Sequence, residues 1–70
     1  MYKSNNKYAL TEMEYVVLKL LVMGKSNAEI ARELYVSRYT VKAHVSHILQ
    51  KLPVSNRVEA TAKAIRENIV

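Results

Sequence analysis

Helix starts punctuate this sequence at short intervals, and that punctuation constrains the fold more than any other feature. Thr11 is followed three residues later by Glu14, and Ser26 by Glu29. In this capping-box pattern a hydroxyl accepts the N–H of the third helical residue, whose carboxylate reaches back to the cap's own N–H. Asn56 and Glu59 form a further capping pair, and Ser37 offers N-cap chemistry without the glutamate. Four helix starts within so few residues leave no room for a sheet.

The apolar residues between the caps recur at helical spacing. Helix 1 is expected from about Glu12 to Met23, with Leu10 outside it as a hydrophobic staple and Gly24, the only glycine, closing it. Helix 2 opens after Ser26 and runs through Leu34, its apolar positions being Ile30, Ala31 and Leu34. Helix 3 is expected from Arg38 to about Leu52 with Val41, Val45, Ile48, Leu49 and Leu52 on one stripe, and Pro53 stops it. Helix 4 follows from about Arg57 to Glu67. Residues 1–9 lack periodicity and read as a flexible arm, so residues 10–70 form the one folded domain. The fold class is all-α, a compact four-helix helix-turn-helix domain with short loops.

Composition narrows the function. With no Cys there is neither a disulfide nor a thiolate metal site, and His44 and His47 lack a third partner for a metal. No cofactor is implied. Neither histidine has a neighbouring Asp, Cys or Ser at a spacing suited to general-base chemistry, so no catalytic set emerges and an enzyme is not expected. The apolar run 15–23 is interrupted by Lys19 and is too short to span a bilayer. The polar first residues lack a secretion signal's apolar stretch, so a cytoplasmic location with no membrane partner is expected.

Charge placement says more than the net +5. All six acids lie outside the stretch 34–58, which holds Arg38, Lys42, Lys51 and Arg57 with His44 and His47 between them. A segment with cations and no anions suits a phosphate backbone. The link between helices 2 and 3 is only Tyr35-Val36-Ser37, which forces a steep crossing of the helix-turn-helix kind. With the apolar stripe of helix 3 turned inward, Arg38, Tyr39, Lys42, Ala43, Ser46 and Gln50 face elsewhere. Lys42 can donate to guanine O6 or N7, and Ala43 can meet a thymine methyl. Ser37, Thr40 and the helix N-termini suit phosphates.

These residues also carry a resemblance. Gly24-Lys25-Ser26-Asn27-Ala28-Glu29-Ile30-Ala31, Leu34, Val36-Ser37, Thr40-Val41-Lys42-Ala43-His44, Lys51-Leu52, Val54 and Asn56-Arg57-Val58-Glu59-Ala60 resemble the LuxR- or GerE-type C-terminal DNA-binding domain of bacterial response regulators and quorum-sensing regulators. The likeness runs from Leu10 to about Ile69. It implies a winged-helix-like DNA-binding class without a β wing, helix 3 in the major groove of operator DNA, and a homodimer regulating transcription. Carried over by position, Lys42, Ala43 and Ser46 read bases. Ser37, Arg38, Thr40 and His44, with Lys51 and Arg57, face phosphates. The resemblance places dimer contacts on helix 4, at Arg57, Val58, Thr61 and Ala64. The chain fits either a small free-standing regulator or the effector part of a longer one.

Three departures stand out: Met13 where the family usually has Arg, Val16 where a second Glu often follows, and Pro53 where glycine is usual. Ser46 also occupies a position that is often larger or basic. Helix 1 carries more apolar surface than one inward face needs. Tyr15, Val16 and Val22 are candidates for contact with a regulatory domain, a second protomer or RNA polymerase, unless Tyr2 or Tyr8 of the arm covers that surplus. A protein-interaction module that has kept the fold and lost operator binding is the alternative function.

Overall fold

Each expected cap forms, and each sets the start of a helix. The computed structural model describes residues 7–70, with α1 over Glu12–Val22, α2 over Asn27–Leu34, α3 over Arg38–Lys51 and α4 over Arg57–Arg66. Tyr2 and most of the expected arm lie outside the described residues. Thr11 and Ser26 both make complete capping boxes, with Glu14 and Glu29 returning to the cap N–H groups at 3.0 and 2.8 Å. Asn56 Oδ1 accepts from Glu59 N at 2.9 Å, while Glu59 Oε1 reaches Ser55 N instead of its own cap. Helices 1, 3 and 4 each end one residue earlier than the sequence suggests, because their last residues serve as C-caps.

The helix ends differ in chemistry. Gly24 at φ +85° closes α1 with bonds from its N–H to Leu21 O and from Lys25 N–H to Leu20 O, the paired pattern that a left-handed residue permits. Tyr35 at φ +59° and Asn68 at φ +57° play the same part after α2 and α4. After α3, Pro53 is not left-handed and has no N–H to give, yet Val54 N still bonds Leu49 O at 2.9 Å. Proline therefore keeps the outer bond of that turn and loses the inner one.

The core is built around α3, which packs against each of the other three helices. Val41, Ile48 and Leu52 are wholly buried there with Val17 and Leu18 of α1, Ile30 of α2 and Ala60 and Ala64 of α4. Burial on this scale contributes roughly 1.5–3 kcal/mol for each large side chain. Val36, in the link between α2 and α3, packs half-buried against the same core. Among the described residues there is no strand, and no helix is long and apolar enough to cross a membrane.

Tyr8 is tied to the body of the fold at the end of α4. Its hydroxyl donates to Glu67 beyond α4, and the Lys63 ammonium stands 5.1 Å from its ring centre.

Candidate nucleic-acid interface

The inward and outward faces of α3 are sharply divided. Val41, Val45 and Ile48 are buried, whereas Tyr39, Lys42, Ala43, Ser46 and Gln50 are exposed on one stripe at helical spacing. Thr40 and His44 are half-buried on its flank. Lys42, Ala43 and Ser46 are thus brought together on open surface, with no other described residue over them.

The amino end of this helix is arranged for anions. Ser37 Oγ accepts from Thr40 N at 3.0 Å and lies 3.0 Å from Thr40 Oγ1, so the two hydroxyls form one small polar cluster. The N–H groups of Arg38 and Tyr39 precede the first intrahelical bonds and point out of the helix end, where an anion can accept them. No acid occupies the first turn of α3. Among the described residues, neither Arg38 nor Lys42 is paired with a carboxylate.

The acids are engaged elsewhere. Glu29 serves the α2 cap, Glu33 holds Lys25 at 2.8 Å, and Glu67 takes Tyr8 and Lys7. Glu14 is buried, and its carboxylate accepts from Lys51 Nζ at 2.7 Å and from Thr11 N at 3.0 Å, with His47 Nδ1 at 3.9 Å. Burial pushes the Glu14 carboxyl up, but the bonds from Lys51 and Thr11 outweigh it and hold the group below its ordinary value.

Two expected phosphate ligands have partners within the fold. Lys51 spends its ammonium on Glu14 and on Ala9 O at 2.9 Å. Arg57 donates to Asn27 Oδ1 at 3.0 Å and to Lys25 O at 3.1 Å, bracing α4 against the link between α1 and α2. Both charges serve the fold.

Expected protein contacts are also redistributed. Ala64 is wholly buried and has no surface to offer a second protomer. Val58 is 74% exposed, Thr61 and Arg57 are half-buried, and the outward stripe of α4 is Val58, Ala62 and Ile65. On α1, Val22 packs against the core and Tyr15 is half-buried. The exposed apolar residues there are Met13, Val16 and Met23. Sequence reasoning singled out Val16 of these three as a contact and missed Ile65, although its spacing of seven from Val58 marks one helical face.

Comparison with known proteins agrees with this architecture. Residues 8–64 match the family model GerE, described as bacterial regulatory proteins, luxR family. The chain is 47% identical over 62 residues to the uncharacterized transcriptional regulatory protein YhcZ of Bacillus subtilis (strain 168), covering 89% of this chain and 29% of YhcZ. It is 44% identical to the transcriptional regulatory protein LiaR of the same organism, again covering 89% of this chain and 29% of the relative. The chain therefore spans less than a third of the length of these relatives. Among solved structures, the response regulator ChrA of a heme-sensing two-component system superposes with a TM-score of 0.84 at 39% identity, over 89% of this chain and 31% of ChrA. The transcription factor GerE superposes with a TM-score of 0.77 at 37% identity, over 86% of this chain and 90% of GerE. The chain belongs to the luxR family of bacterial regulatory proteins.

Proposed function

We propose that this domain binds double-stranded DNA in a sequence-specific manner and regulates bacterial transcription, with α3 inserted in the major groove. The observation that carries the reading is the outward stripe of α3, which is exposed, cationic and uncovered by any other described residue. Lys42, Ala43 and Ser46 are the base-reading residues, and Ser37, Arg38, Thr40 and His44 meet the phosphates. The role is that of a binding module, not of a catalyst. A homodimer on a two-fold operator is formed through the outward face of α4, centred on Val58 and Ile65. Because Lys51 and Arg57 are engaged within the fold, few cations remain for counterion release. The slope of log K against log salt is expected to be shallow, about −1 to −3 per protomer.

A second surface has its own support. Met13 and Val16 lie one turn apart on α1, 40% and 36% exposed, where they can neighbour each other, and Met23 is exposed at the helix end. This face suits contact with a regulatory domain or RNA polymerase.

Selection of binding sites from a random duplex pool, followed by titration at several salt concentrations, tests the main reading. A defined consensus whose affinity weakens as salt rises is the expected result. Binding that no sequence improves overturns it in favour of a protein-interaction module.

A further inference from the structure

We propose that Tyr39 is a specificity-determining residue, its ring packing on a thymine methyl at the base pair next to the one read by Lys42. The inference rests on the reading of α3 as the DNA-reading helix and adds a position to it.

Three observations converge on this side chain. Tyr39 precedes Lys42 by three residues, Ala43 by four and Ser46 by seven, so all four share one face of α3. It is 83% exposed, so its ring contributes almost nothing to the core. It also sits in the first turn, ahead of the other three, and in helix-turn-helix docking the N-terminal residues of the recognition helix meet the base edges.

The chemistry follows from position. Three helical residues rise about 4.5 Å, close to one base-pair step of roughly 3.4 Å, which sets Tyr39 over the neighbouring pair. An apolar ring in the major groove finds one apolar feature there, the C5 methyl of thymine. Charge complementarity fixes DNA as the occupant: the ring stands between Arg38 and Thr40, with Lys42 one turn on and no acid in that turn. Tyr35, at 94% the most exposed of the described tyrosines, lies in the preceding turn and off this stripe, so it makes no such contact.

Site selection with the wild type, Tyr39→Ala, Tyr39→Phe and Lys42→Ala provides the test, with melting curves to confirm that each variant folds. Tyr39→Ala is expected to lose a thymine preference at one position, by roughly tenfold, while the rest of the consensus stands. Tyr39→Phe keeps that preference because it keeps the ring. Replacing that thymine by deoxyuridine is expected to weaken the wild type and to leave Tyr39→Ala unchanged. The proposal is overturned if Tyr39→Ala selects the wild-type consensus, or if Tyr39→Phe loses the preference as fully as Ala does. Should Lys42→Ala also select the wild-type consensus, the docking of α3 itself fails. If Lys42→Ala shifts the consensus and Tyr39→Ala does not, only the role of Tyr39 falls.

Discussion

Lys51 Nζ lies 2.7 Å from Glu14 Oε1 and joins the last turn of α3 to the first turn of α1. Helix α3 is thereby fixed at its far end, which sets the tilt of the stripe that it presents. The same carboxylate closes the α1 cap, so one buried glutamate serves two elements.

That shared carboxylate makes stability depend on acid. The folded state holds the Glu14 carboxyl below its ordinary value of 4.5. Its contribution is therefore complete above the unfolded-state value and is lost as pH falls through the lower folded value. Denaturant melts are expected to show stability declining below about pH 4.5, and Glu14→Gln should flatten that part of the curve. At neutral pH Glu14→Gln keeps a cap acceptor but leaves Lys51 without its counter-ion. Because Lys51 is partly in contact with water, a loss of about 1–2 kcal/mol is expected.

Tyr35 adopts a left-handed conformation at φ +59° while 94% exposed, so it carries backbone strain without compensating burial. Relief of that strain is worth roughly 1–2 kcal/mol, and glycine gives back about 0.5–1 through the entropy of the unfolded chain. Tyr35→Gly is expected to raise stability by about 0.5–1 kcal/mol in a chemical melt. A destabilised Gly variant would contradict this account of the turn.

Two of the valines of α1, Val16 and Val22, separate core from surface. Val22 packs against the core and lines a groove with Leu21, Arg57 and Val58, so Val22→Lys brings an ammonium towards a guanidinium. A loss of about 1–2 kcal/mol is expected. Val16→Glu is expected to change stability by less than about 0.5 kcal/mol, and its effect should appear in partner binding. Equal losses in thermal melts would put Val16 in the core.

On α4, Val58→Glu and Ile65→Glu replace exposed apolar groups and should leave the monomer's melt unchanged. Binding to a two-fold operator is expected to weaken about tenfold while affinity for a single half-site holds. Analytical ultracentrifugation with and without DNA separates the two effects. Unchanged operator binding would remove α4 from the dimer.

Local chemistry was legible in the sequence, and long-range pairing was not. Thr11, Ser26, Ser37 and Asn56 revealed their caps because an N-cap needs only a side chain three residues from its target. The outward stripe of α3 followed from helical period. The left-handed end at Tyr35 left no such mark, since the tyrosine is chemically unsuited to that backbone. Lys51 looked available to phosphate because its partner Glu14 stands 37 residues away. The partners of Arg57 were hidden likewise, its acceptors lying 30 and 32 residues away. Net charge along a segment does not say which charges the fold has already neutralised.

Titration of a selected operator with the wild type and Lys42→Ala under one fixed salt condition tests the central claim most directly. The account expects Lys42→Ala to cost roughly 1–3 kcal/mol and to relax preference at one base pair. Unchanged affinity together with unchanged site preference would contradict it.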